Sequence, residues 1–215
     1  MDVTDRRRQR SRDIIAATRH LFDERGAREA QIDDIATAVG INRAIIYRHF
    51  QTKEELFAVT LVEYLDELEV EIAKVSDEPD PVQRFEAQVE AFFTYGVKYP
   101  AFVDCAQALL KFRGSDLADQ VSLARLTELG QSMYRSFAHV VRSFEDGNAA
   151  GVFDVKDPEL LVNIIYAQGL GVMNLATFQR SIRELGTGLP IMDALPLGEV
   201  LEQTKRAMVA MARPV

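Results

Sequence analysis

The 215-residue chain has a single cysteine, no internal repeat and no low-complexity tract. Cys105 alone excludes an internal disulfide and a multi-cysteine metal site; beside Phe102 and Leu109 it reads as a small buried hydrophobe. No charged segment followed by an apolar leader opens the sequence, and its apolar runs read as shorter than a bilayer span. The expected compartment is cytoplasmic, with no membrane partner. The sequence also lacks a G-x-S-x-G elbow, a P-loop, a dinucleotide-binding glycine motif and an H-E-x-x-H pair. His20, His49 and His139 are too few and too scattered for a triad or a metal cluster. The adjacent acids Asp33 with Asp34 and Glu54 with Glu55 fit the electrostatics of helix starts better than acid–base chemistry. These absences argue against an enzyme, and no cofactor or metal is expected. The two-residue alternation of a sheet is missing as well, which leaves an all-α fold.

With 47% hydrophobic and 27% charged residues, the composition is that of a globular protein able to bury a sizeable core. The formal charge of −8 is unevenly spread. Residues 1–55 hold 11 Lys and Arg against 10 Asp and Glu, leaving 14 against 23 for the remainder, so the acidic excess lies outside the first quarter. Arg6, Arg7, Arg8, Arg10 and Arg12 crowd the start and read as a basic arm able to neutralise phosphates, with a solvated tail as the alternative.

Gln31–Leu56 organises the chain. Ile32, Ile35, Ala36 and Val39 repeat at helical spacing, Gly40 stops that helix, and Asn42 is an N-cap for a short second helix over Arg43–His49. Ile46 and Phe50 share the inward side of this helix, leaving Arg43, Ile45 and Arg48 free to point elsewhere. Gln31 is a poor cap, partly offset by Asp33 and Asp34 near the helix start. Thr52 and Glu55 fit a capping box for a third helix. Two helices about a tight turn, with a nearby basic surface, suit a helix-turn-helix whose second helix enters a DNA major groove.

The stretch resembles the DNA-binding region of the TetR family of transcriptional regulators, through Tyr47, Arg48, His49 and Phe50, then Lys53, Glu54, Glu55 and Leu56. The segment Arg12–Gly26, with Ile14, Ile15, Ala17, Leu21 and Phe22, resembles that family's first helix. The resemblance implies an N-terminal three-helix DNA-binding domain, residues 1–56, followed by a larger helical effector-binding and dimerisation domain, residues 57–215. It implies a ligand-responsive repressor that binds a palindromic double-stranded operator as a homodimer. The alternative is a dimeric small-molecule-binding or protein-interaction module without specific DNA binding.

Arg43 is the leading candidate for a base edge or a nearby phosphate. Ala44 and Ile45 stand where the family has a small residue and a threonine; Ile45 either offers apolar surface to a thymine methyl or packs against the first helix. The resemblance assigns Tyr47 and His49 to phosphates, places Arg48 in the same DNA-binding segment, and adds Lys53, whose alternative is a solvated surface lysine.

Further along, Lys53–Ala73 has no internal proline or glycine and reads as one helix, with Phe57, Leu61, Tyr64, Leu65 and Leu68 inward. Asp80 and Pro81 start another helix. Ala101–Lys111 and a long run from Leu117 to about Glu145 follow, then a helix beginning at Asp157 and Pro158. Arg183–Leu195 reads as an irregular connection, and Leu197–Ala212 as the last helix. Leu160–Leu175 is apolar on several sides and Val200–Met211 carries a second stripe, a pattern that suggests a four-helix dimer seam. Phe92, Phe93, Tyr95, Tyr99, Phe102, Phe112, Met133, Phe137, Tyr166 and Met173 line an effector cavity for a small hydrophobic or aromatic molecule in the reading that the resemblance favours, or form a solid core in the plainer one.

Overall fold

The computed structural model describes residues 2–27, 29–112, 114–178, 180–184 and 190–214. The elements are α1 (Val3–Arg25), α2 (Ile32–Val39), α3 (Arg43–His49), α4 (Lys53–Ala73), α5 (Pro81–Lys98), α6 (Pro100–Leu110), α7 (Gly114–Gln120), α8 (Leu123–Ala149), α9 (Pro158–Phe178), β1 (Arg180–Glu184), β2 (Pro190–Ala194) and α10 (Leu197–Ala212). They form two compact units, one of Met1–Asp66 with Tyr99–Met133, the other of Glu67–Lys98 with Tyr134–Val215. α4 and α8 each supply residues to both.

In the first unit, α1 packs on α2 and α6, and α2 on α3. Its core takes Ile14 and Phe22 from α1, Ile35 from α2, Ile46 from α3 and Leu56 from α4, all essentially inaccessible. Each such side chain contributes about 1.5–3 kcal/mol by leaving water. Phe57 meets Phe22 edge to face at 4.7 Å. α1 begins at Val3, well before the Arg12–Gly26 segment that carries its apolar pattern. The five arginines from Arg6 to Arg12 therefore lie on the first turns of α1. Arginine is a good helix former, so a run without an apolar face still continues the helix.

The second unit is built on an aromatic trio. Phe85 and Phe144 meet at 4.8 Å, and Phe153 stands 6.2 and 6.0 Å from them. Gly147 allows this approach, since a Cβ there would lie 2.1 Å from the Phe153 ring. Asn148 closes the turn after α8, donating to the Val155 carbonyl at 2.7 Å and accepting from its N–H at 2.9 Å. The buried Arg84 donates to Ser143 Oγ at 2.9 Å and to the Asp146 carboxylate at 2.6 Å. α9 lies against α5 and α10, presenting Val162, Ile165, Tyr166, Leu170 and Met173 to the interior.

Three expectations are corrected. The long run after Gly114 is two helices, broken at Val121 and Ser122. The connection expected to be irregular contains an antiparallel hairpin with Ile182 opposite Met192, while 185–189 lie outside the described residues. Finally, Pro158–Ala176 of α9, 19 residues, is long and apolar enough to cross a membrane by length and composition, contrary to the reading that all apolar runs are short. Only 39% of that window is buried within the chain.

Candidate DNA interface and effector region

The turn between α2 and α3 is set by two local devices. Gly40 adopts a left-handed φ of 70°; its N–H donates to the Thr37 carbonyl, and that of Ile41 to Ala36, which closes the end of α2. Asn42 then caps α3, its side-chain oxygen accepting from the Ile45 N–H at 3.1 Å. At the other end of α2, the Asp34 carboxylate accepts from the Gln31 backbone N–H at 3.2 Å, the compensation expected for a weak cap.

Burying Ile46 and Phe50 turns the opposite side of α3 outward, so Arg43, Ala44, Tyr47 and Arg48 are exposed. The Arg43 guanidinium lies 3.8 Å from the Asp33 carboxylate and 5.5 Å from the Tyr47 ring centre. Both contacts are solvent-exposed and individually weak, so a phosphate or a base edge can replace Asp33. Ile45 is half-buried, dividing its apolar surface between packing and solvent.

His49, also half-buried, has Nδ1 2.8 Å from Ser11 Oγ on α1. The Ser11 hydroxyl is 3.2 Å from the Arg7 carbonyl, so its one proton serves either that oxygen or the imidazole. Burial lowers the His49 pKa from its ordinary value, and the charges of Arg7, Arg48 and Arg10 lower it further. The end of α3 is thus gathered with the arginines of α1 into a positive cluster. Ser11 carries no motif that reveals this role from sequence.

The start of α4 is fixed more firmly than a capping box alone predicts. Thr52 Oγ1 accepts from the Glu55 N–H at 2.9 Å, and the Glu55 carboxylate accepts from the Gln51 N–H at 2.6 Å. Glu55 also accepts from Ser122 Oγ at 2.6 Å, while Thr52 donates to the Gln120 carbonyl at 2.6 Å. The α7–α8 junction therefore grips the turn that carries Lys53, whose ammonium sits 5.0 Å from the Phe57 ring centre. Ser122 stands before an apolar helical run and could be read as a cap, but its partner lies 67 residues away.

Of the ten aromatic and methionine candidates, the second unit brings Phe92, Phe137 and Tyr166 together, at 5.7 Å between Phe92 and Tyr166 and 5.4 Å between Phe137 and Tyr166. Met173 fills the space above Gly96, where a Cβ would lie 2.0 Å from its sulfur. Phe93 is buried, and the Tyr95 hydroxyl donates to Glu67 at 3.1 Å. Ser136, one residue before Phe137, has a buried hydroxyl with no hydrogen-bond partner among the described residues. In the first unit Tyr99 and Phe102 both pack on Tyr64, at 6.2 Å each. Met133 is half-buried, and Phe112 lines a pocket with Lys53 and Lys111. Cys105 is fully buried, and burial raises its thiol pKa well above the ordinary range, as the small-hydrophobe reading requires.

Between α9 and α10 runs an open groove of about 640 Å³, lined by Gly171, Val172, Leu175, Val200 and Ala207 among others. Leu160, Ile164 and Leu175 on α9, with Met211 on α10, are large apolar side chains left exposed by the single chain.

A basic first helix followed by two short helices about a tight turn, the second facing outward, is a helix-turn-helix arrangement, continued by a further helical unit. Residues 14–60 match the family model for bacterial regulatory proteins of the tetR family. Over 90 residues the chain is 32% identical to the transcriptional activator FasR of Mycolicibacterium smegmatis, an alignment spanning 41% of this chain and 41% of FasR. It is 26% identical over 165 residues to the transcriptional repressor Rv3405c of Mycobacterium tuberculosis, covering 70% of this chain and 82% of that one. Among solved structures, RolR in complex with resorcinol superposes with a TM-score of 0.69 at 15% identity, over 97% of this chain and 90% of RolR. The ketosteroid regulator KstR2 of Mycobacterium tuberculosis gives 0.60 at 21% identity, over 96% of each chain. Residues 14–60 are thus similar to the DNA-binding region of the tetR family of bacterial regulatory proteins, and the chain shares its fold with these solved structures.

Proposed function

We propose that the protein is a ligand-responsive transcriptional repressor that binds a palindromic operator as a homodimer. The observation that carries this reading is α3: a short helix whose only buried residue is Ile46 and whose outer side presents Arg43, Ala44, Tyr47 and Arg48. Arg43 reads a base edge, while Tyr47, His49 and Lys53 hold phosphates; Arg48 and the arginines of α1 add sequence-independent attraction. Ala44 and the accessible part of Ile45 give apolar contact to a thymine methyl. The functional boundary after Leu56 separates these residues from the effector and dimerisation region. The protein acts by binding only, with no catalytic step, and works in the cytoplasm.

The exposed apolar side chains of α9 and α10 meet those of a second copy across their groove, which explains an α9 apolar enough for a membrane without placing it in one. An apolar effector occupies the neighbourhood of Phe92, Phe137 and Tyr166. The Ser136 hydroxyl supplies its polar anchor, since an unpaired buried hydroxyl costs about 1–3 kcal/mol until something bonds it. The effector acts by favouring a spacing of the two α3 helices that fits the operator poorly. RolR is named with resorcinol and KstR2 as a ketosteroid regulator, which is in keeping with a small, mostly apolar ligand. FasR is named an activator and Rv3405c a repressor; the repressor reading follows the longer of these two alignments. Selection of genomic fragments by the purified protein tests the proposal, the expected product being a two-fold symmetric sequence with half-sites about one helical turn or more apart.

A further inference from the structure

The first unit holds a pocket of about 580 Å³ at the junction of the end of α1, the start of α4 and the end of α6. Its apolar wall includes Phe57, Ala108, Leu109 and Phe112, and two ammonium groups, Lys53 and Lys111, line it with them. Neither lysine makes an ion pair among the described residues, and Lys53 is already held 5.0 Å from the Phe57 ring centre. Glu54 and Asp104 also line the pocket. Two cations in a pocket with an aromatic wall favour an anion with a flat apolar body, and the two carboxylates that share the lining disfavour one carrying more than a single charge.

We propose that this pocket binds a compact aromatic monocarboxylate, its ring against Phe57 and Phe112 and its carboxylate on Lys53 and Lys111. The site is separate from the Phe92, Phe137 and Tyr166 cluster. It draws Lys53, the first residue of α4, into an ion pair, and the carboxylate, on the reading that Lys53 holds a phosphate, competes with DNA for the same ammonium. An occupant therefore weakens DNA binding directly, by removing one phosphate contact, without any change in half-site spacing.

Calorimetric titration of the full-length protein with 2-naphthoate, and with the neutral 2-naphthylmethanol, tests this at low salt. The naphthoate is expected to bind at one site per chain, at least about fivefold tighter than the alcohol. K111Q, at an exposed residue, should abolish that preference and leave binding of the alcohol unchanged. A108W should abolish binding of both; because the chain has no tryptophan of its own, a blue-shifted emission reports that the new ring fills the pocket. Equal binding of the two compounds, retention of naphthoate binding by a folded A108W, or no effect of K111Q would overturn the proposal. A second arm follows binding to DNA with and without naphthoate: the compound should weaken binding by the natural sequence and not by A108W. The calorimetric arm decides the pocket even if the chain binds no DNA.

Discussion

The phenol of Tyr64 donates a hydrogen bond to the Asp23 carboxylate at 2.6 Å, joining α4 to α1. The Arg19 guanidinium lies 3.6 Å above the Tyr64 ring and 3.2 Å from Asp23, so one buried aromatic is held by an anion at its tip and a cation on its face. Burial and the Asp23 bond raise the Tyr64 pKa far above its ordinary value, which keeps the phenol a donor.

Tyr64→Phe should retain the ring and lose the bond. Thermal unfolding is expected to show a loss of about 1–2 kcal/mol with helical content unchanged. If the link also transmits the effector signal, the variant should bind operator near normally yet respond less to ligand. An unchanged melting temperature would mean that water replaces the phenol without cost.

The half-buried His49 makes stability depend on pH. Its folded-state pKa lies below the ordinary 6.5, so the unfolded chain binds the proton more readily. The stability contributed by the neutral imidazole is complete above that value and is lost as pH falls from it through the lower folded value. Comparing His49→Asn with the natural sequence from pH 8 to pH 5 should show a stability difference that shrinks on acidification. A difference that grows would reverse the sign of the shift.

Dimerisation is probed by Leu175→Glu, a residue that is 44% exposed in the single chain and lines the α9–α10 groove. Met208 and Leu161, attractive from sequence periodicity, are poorer probes, because Met208 belongs to the second unit's own core and Leu161 packs against it. An unpaired carboxylate at the seam should cost at least about 2 kcal/mol, roughly thirtyfold in the dissociation constant. Sedimentation of the folded variant should find monomer where the natural sequence stays dimeric; a variant that dimerises equally well would place the seam elsewhere.

Local chemistry made much of this fold readable in advance. Asn42, Gly40 and the Thr52–Glu55 pair act within a few residues of themselves, so the α2–α3 turn and the start of α4 fall where their caps indicate. α10 spans the residues read as the last helix, Leu197–Ala212. The hairpin did not announce itself, because Ile182 and Met192 face each other while 79% and 52% exposed, so this pair adds no buried position to a readable alternation. In the sequence the effector candidates are marked by residue type alone, which carries no information on partners; only folding shows Phe92, Phe137 and Tyr166 in contact and Phe112 beside Lys53 and Lys111. The bonds of Glu55 to Ser122 and of Thr52 to Gln120 are equally invisible, since each joins residues more than 60 positions apart.

The central claim is that α3 reads sequence and that Arg43 does the reading. The most direct measurement is competition binding of folded Arg43→Ala and Lys53→Ala against the selected operator, its single-base variants and random duplex, over several salt concentrations. Loss of Arg43 should cost about 1–3 kcal/mol on the operator and relax preference at one base pair. Loss of Lys53 should weaken every duplex alike and reduce the salt slope by about one contact. Equal losses on all duplexes for Arg43→Ala would move that residue to backbone positioning, and failure of the intact dimer to bind any duplex would contradict the regulator assignment itself.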